Sequence, residues 1–181
     1  MKKYIAVFCG SRTGNKPEYT KAAKELAHHL VKNQFGLVYG GGKVGLMGVI
    51  ADEVLSQGGD VIGVIPQKLY DKEVAHTGVT ELITVETMHE RKAIMADKAE
   101  AFIALPGGIG TLEELFEVFT WTHIGYHQKP CALYNAHSFY DQLNDFLDQI
   151  VNQDFLSKDF RNLLISESNA EILITKLLEK I

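Results

Sequence analysis

The sequence predicts an α/β chain, a Rossmann-like, doubly wound three-layer α/β/α sandwich on a mainly parallel sheet of about seven strands. Three observations carry that prediction. Short apolar runs recur along the chain with segments of helical periodicity between them. Most of these runs are apolar throughout rather than alternating, as strands covered on both faces are. The glycine-rich turns all follow strand ends, so a parallel sheet gathers them on the one edge where such sheets bind ligands.

The first strand is residues 4–9. Two lysines before it give it the look of a secretion signal, but its apolar run is short and breaks at Gly10-Ser11-Arg12. Pro17 stands where a first-turn proline is tolerated and opens a helix over 17–33, and Gly36 follows its end and begins a second strand, 36–39. A helix over 46–57 stops at Gly58-Gly59, and strands follow over 60–65 and 81–85. The pattern continues with a helix over 88–98, a strand over 101–105, a helix over 112–122, a strand over 131–134, a helix over 139–152, a short strand over 163–165 and a helix over 170–180. No linker, repeat or low-complexity tract interrupts the series, so residues 1–181 read as one domain.

Composition narrows the function classes. A chain of 181 residues can bury a core without staples. A net charge of −5 argues against a nucleic-acid surface, which would be basic and clustered. No run of 18 apolar residues exists to span a membrane. Cys9 and Cys131 each lie in an apolar strand, which reads as two buried, reduced thiols of a cytoplasmic protein.

The most informative stretch is Leu105-Pro106-Gly107-Gly108-Ile109-Gly110-Thr111-Leu112-Glu113-Glu114. Glycines let backbone N–H groups approach a ligand, and a helix N-terminus favours an anion, so the turn reads as a phosphate cradle. Two carboxylates in what reads as the first helical turn suggest chemistry on a phosphorylated substrate. Glu113 suits a role complementing the helix dipole, worth a few tenths of a kcal/mol to ~1. Glu114 falls instead beside Val118 and Trp121, a second apolar flank next to the Leu112, Leu115, Phe116 and Phe119 stripe. A helix apolar on two sides predicts a subunit interface. Arg91 shares a helix face with Met88 and Met95, where an arginine needs an anionic partner.

Other patterns are weaker. Gly40-Gly41-Gly42-Lys43-Val44-Gly45 satisfies G-x-G-x-x-G, but it follows the second strand, and Asp60 opens the next strand rather than ending it. It reads as a backbone wall for a smaller nucleotide, not a dinucleotide site. His123 and His127 lack the helical glutamate of a metalloprotease, and no metal is expected.

Pro106-Gly107-Gly108-Ile109-Gly110-Thr111 through Glu114 resembles the P-G-G-x-G-T-x-x-E signature of the Lonely Guy (LOG) family, older members of which carry a lysine-decarboxylase-like label. Cys9-Gly10-Ser11 and Gly14, Gly40-Gly41-Gly42 through Gly48, and Met88-His89-Glu90-Arg91-Lys92 extend the resemblance over nearly the whole chain. Arg12-Thr13 stands where many members have small hydroxyl residues. The resemblance implies a homodimeric phosphoribohydrolase that cleaves a cytokinin riboside 5′-monophosphate, or AMP, to free base and ribose 5-phosphate, without a cofactor. By position it implies Arg91 and Glu114 as catalytic residues. Substrate contacts are expected at Lys92, Gly108, Ile109, Gly110, Thr111, Glu73 and Thr120, joined by Leu112 and Glu113 of the motif and by Gly10, Ser11, Gly41 and Gly42 of the other glycine turns. The dimer is expected through helix 112–122. A non-catalytic nucleotide carrier resembling molybdenum-cofactor carriers is the alternative on the same fold.

Overall fold

The computed structural model describes residues 2–70 and 74–181. Its strands are β1 (Tyr4–Phe8), β2 (Gly36–Tyr39), β3 (Val61–Pro66), β4 (Glu81–Val85), β5 (Ala99–Ala104), β6 (Cys131–Tyr134) and β7 (Leu164–Glu167). They form one sheet in the order β4-β3-β2-β1-β5-β6-β7, and every pairing is parallel. The chain thus begins at the centre, winds outward to β4, returns to lay β5 against β1 and winds outward the other way. The reversal leaves a crevice between the carboxyl ends of β1 and β5, where open α/β sheets hold their ligands.

Helices α1 (Pro17–Lys32), α2 (Gly45–Ser56) and α7 (Ala170–Leu178) cover one face of the sheet; α3 (Met88–Lys98), α4 (Ile109–His123), α5 (Asp141–Asn152) and the single turn α6 (Lys158–Arg161) cover the other. The pleat of β1 shows why its run is apolar throughout. Ile5 and Val7 pack with Leu26, Ile50 and Leu173 on the first face, while Ala6 and Phe8 pack with Met95, Leu115 and Phe119 on the second.

Two differences from the sequence expectation bear on the site. α4 begins at Ile109, three residues before the expected start at 112. A glycine inside a helix costs about 1 kcal/mol relative to alanine, so Gly110 argues for a later start. Packing overrides that cost, and the Leu112 N–H closes the first turn on the Gly108 carbonyl at 3.2 Å. Glu113 and Glu114 consequently lie beyond the first turn, which holds no acid. Second, the helix expected over 139–152 starts at Asp141, after a short 3-10 turn over Ala136–Ser138. Asn135 stops it starting earlier, accepting from the Tyr140 N–H at 2.7 Å and donating to Asp141 at 2.7 Å. Among the described residues no helix is long and apolar enough to cross a membrane.

Candidate active site

A cleft of about 340 Å³ opens at the crevice between β1 and β5, within the roughly 300–1,000 Å³ of small-molecule sites. β1 and the turn after it supply Val7, Phe8, Cys9, Gly10 and Ser11, and β2 ends in the cleft at Gly40. Met47 of α2, Leu69 and Met88 form an apolar wall, and the start of α4 brings Gly108, Ile109, Gly110, Thr111, Glu113 and Glu114. Gly108 is the N-cap of α4 and, having no side chain, makes no capping hydrogen bond. The N–H groups of Ile109, Gly110 and Thr111 have no partner within the helix and border the cleft.

Arg91 reaches the cleft because α3 starts in a fixed place. Thr87 accepts from the Glu90 N–H at 3.1 Å, and the Glu90 carboxylate accepts from the Glu86 N–H at 2.9 Å. Arg91 is 6% exposed. Its Nη2 donates to the Gly40 carbonyl at 3.4 Å and lies 3.7 Å from Glu114 Oε1, while Nη1 lies 3.8 Å from the Met88 sulfur. A side chain at position 40 would displace Arg91, since a Cβ there would lie 1.9 Å from Arg91 Nη2. Position 107 is closed, because a Cβ would lie 2.1 Å from the Thr111 hydroxyl and 2.9 Å from the Gly10 nitrogen. The three loops therefore approach as bare backbone.

Of the residues singled out in the sequence, Arg91, Glu114, Glu113, Gly108, Ile109, Gly110, Thr111, Gly10 and Ser11 converge on this cleft. Gly41, Gly42, Lys92, Leu112 and Thr120 lie outside its lining, and Glu73 falls outside the described residues. Lys92 is held between Glu113 at 2.7 Å and Glu117 at 3.0 Å. Burial disfavours its charge, but those two hydrogen bonds outweigh burial and raise its pKa above the ordinary lysine value. Thr120 donates to the Phe116 carbonyl at 2.6 Å. Glu113 is thus a partner of Lys92 rather than a first-turn charge.

Part of the two-sided burial of α4 comes from within this chain. Val118 is 2% exposed in the core with Leu115, and Trp121 packs partly against that same core. Phe119 stacks on Phe160 of α6 with ring centres 4.3 Å apart. The flank carrying Glu114 therefore faces the interior and the cleft. The face left open runs through Ile109, the half-buried Leu112 and Phe116, Thr120 and Ile124.

Sequence reasoning did not mark Met47 or Leu69 as cleft residues. Met47 follows the glycine turn after β2, at the sheet edge already identified, so that position was its available signal. Leu69 lies in the stretch 66–78 after β3, which the strand order already places at that same edge, but nothing within the stretch singled it out.

Residues 47–177 match a family described as "Possible lysine decarboxylase". The chain is 51% identical over 176 residues to a cytokinin riboside 5′-monophosphate phosphoribohydrolase of Arabidopsis thaliana, LOG2, covering 97% of this chain and 82% of that protein. It is 50% identical over 175 residues to the cytokinin riboside 5′-monophosphate phosphoribohydrolase LOG of Oryza sativa subsp. japonica, covering 97% and 72%. Among solved structures, the Moco carrier protein from Chlamydomonas reinhardtii superposes with a TM-score of 0.73 at 19% identity over 100% of both chains. The molybdenum cofactor binding protein from Rippkaea orientalis superposes with a TM-score of 0.72 at 22% identity, covering 99% of this chain and 98% of the other. At those identities the likeness is one of fold.

Proposed function

This chain belongs to the Lonely Guy (LOG) family, and from that premise we propose that it is a phosphoribohydrolase, hydrolysing the N-glycosidic bond of a cytokinin riboside 5′-monophosphate or of AMP to free base and ribose 5-phosphate. One observation carries the reading at this site, the burial of Arg91 against Glu114 beside the uncapped, glycine-lined start of α4.

The 5′-phosphate binds at that helix start, where the N–H groups of Ile109, Gly110 and Thr111 and the helix dipole meet its charge. Gly10 and Ser11 close the same end. The base lies against Met47, Leu69 and Met88, and the two methionine thioethers suit an aromatic face. With both ends held, the ribose C1′ is carried over Glu114. As the C1′–N bond breaks, the electron pair leaves with the base and positive charge grows on the ribosyl ring. The Glu114 carboxylate stabilises that charge and takes a proton from the water that attacks C1′, and this proton balances the one the departing base nitrogen takes up, so the free base leaves neutral. Arg91, at 3.7 Å, orients the Glu114 carboxylate. Lys92 acts one step back by fixing Glu113 and Glu117 on α4, and Gly41, Gly42, Leu112 and Thr120 shape the backbone and helix behind the contacts.

A non-catalytic carrier would have no use for an arginine buried against a glutamate at the cleft. Decarboxylation through pyridoxal phosphate needs a Schiff-base lysine. No lysine lines the cleft among the described residues, and Lys98 ends α3, pairing with Glu81 at 3.9 Å. Cys9 and Cys131, buried and not joined in a disulfide, support residence in the reducing cytoplasm. The open face of α4 supports pairing of two copies through that helix.

The test is release of free base from AMP and from isopentenyladenosine monophosphate. Glu114→Gln and Arg91→Ala are each expected to lower kcat by about 10²–10³-fold. Undiminished release from both variants, or no base from either substrate, sinks the assignment.

A further inference from the structure

Apart from tyrosines and cysteines, three polar side chains are buried among the described residues: Arg91, Thr111 and His76. The first two line the cleft. His76, 4% exposed, does not, and the reaction above gives it no task. Its surroundings show what holds it. Ring Nδ1 accepts from the Gly78 N–H at 3.2 Å, and Nε2 lies 2.8 Å from the Asp52 carboxylate on α2. A nitrogen that accepts carries no proton, so Nε2 carries it and donates to Asp52. Both ring nitrogens are thereby used, one on its own loop and one on a helix of the sheet's first face.

The backbone around this ring is tied to the cleft floor. The His76 N–H donates to the Gly41 carbonyl at 2.8 Å, the Lys43 N–H donates to the Val74 carbonyl at 2.9 Å, and Gly42 and Ala75 form an antiparallel bridge between them. Residues 74–76 are therefore pinned beside 41–43 by one isolated antiparallel bridge and its two flanking hydrogen bonds. Gly41 takes a positive φ of 78°, and a Cβ there would meet Ile65 at 3.0 Å, so this peptide has one way to lie. The preceding carbonyl, that of Gly40, is the one that accepts from Arg91 Nη2, and the guanidinium rests on Gly40 itself. A continuous series of contacts runs from Asp52 through His76, Gly41 and Gly40 to Arg91.

We propose that His76 is a positioning residue for the hydrolysis: clipped to Asp52, it holds residues 74–78 against the 40–43 turn and so fixes the backbone surface on which Arg91 is presented to Glu114. The proposal rests on the reading of Arg91 and Glu114 as the catalytic pair. Its effect is on the reacting geometry, so loss of the clip lowers kcat and leaves the KM for AMP within about twofold.

Asp52 is the place to test it, because its side chain is 61% exposed and alanine suits a helix, so the fold survives substitution. Asp52→Ala is expected to lower kcat about tenfold, the effect of losing one hydrogen bond to a buried group. Asp52→Asn keeps an oxygen for Nε2–H and restores kcat to within about twofold. A second readout needs no turnover. The Arg91 Nε–H is buried without a partner among the described residues, and its 15N resonance, assigned by its loss in Arg91→Lys, shifts in Asp52→Ala and returns in Asp52→Asn. An unmoved resonance, or a kcat for Asp52→Ala equal to that of the parent, overturns the proposal. Full turnover by Arg91→Lys and Glu114→Gln overturns the reading of the catalytic pair instead, and the resonance then still reports whether the clip holds Arg91.

Discussion

The meeting of Gly40 with Arg91 is the tightest condition in the cleft, and it makes two glycines behave oppositely. A Cβ at position 40 would lie 1.9 Å from a guanidinium nitrogen, which is the far end of a flexible side chain and can swing away. Gly40→Ala should therefore fold and bind AMP with little change in KM, while kcat falls on the order of 100-fold because Arg91 is displaced. Steady-state kinetics check this, and an unchanged kcat refutes it. Gly108 has a negative φ of −95° and nothing within 4 Å of its would-be Cβ. Gly108→Ala should keep its melting temperature but raise KM roughly tenfold, since the new methyl group projects where phosphate must approach. The contrast shows how far single residues could be read from the sequence. Arg91 was legible because its spacing from Met88 and Met95 put a charge on an apolar face. Lys92 was not, because its partners Glu113 and Glu117 stand on a different helix and nothing local records that α3 and α4 lie side by side.

Among elements, the end of β5 is held by the connection that follows its neighbour β6. Tyr140, just before α5, is buried and donates its hydroxyl to the Leu105 carbonyl at 2.6 Å, directly before the Pro106 turn. Tyr140→Phe leaves that buried carbonyl unpaired and should destabilise the fold by about 1 kcal/mol, read as a lower urea midpoint at unchanged slope. The far end of α4 carries a pH dependence. His127 lies under Phe102, accepts from the Lys129 N–H at 3.2 Å, and has its pKa lowered from 6.5 first by burial and then by the Lys129 charge. The unfolded chain therefore binds this proton more readily than the folded one. Stability from His127 is fully present above pH 6.5 and declines as pH falls below it. Thermal unfolding at pH 7.5 and 5.5 should show that loss, and His127→Gln should shrink it. The strands were legible as doubly buried apolar runs, and the α3 bounds agree at both ends because Thr87 and Glu90 mark its start in the sequence itself. The early start of α4 was hidden, because Gly108 and Gly110 look like loop residues until the sheet packs beneath them.

For the molecule as a whole, the open strip on α4 is the surface to probe for self-association. Ile124 is 58% exposed at its end and well away from the cleft. Ile124→Glu should convert a dimer into a species of 20.1 kDa by light scattering, and an unchanged mass removes α4 as the interface. The winding of the sheet has a different, practical consequence. Everything in the cleft comes from the carboxyl ends of the strands, so the amino ends carry only connections, among them the exposed Lys3 before β1. Both native thiols are buried, and burial pushes Cys131 up to about 12, far from reactivity at neutral pH. With Cys9, which lines the cleft, replaced by alanine, a cysteine substituted at Lys3 would be the one exposed thiol among the described residues. It would serve as a single handle for a dye or a solid support, with the cleft facing away into solution.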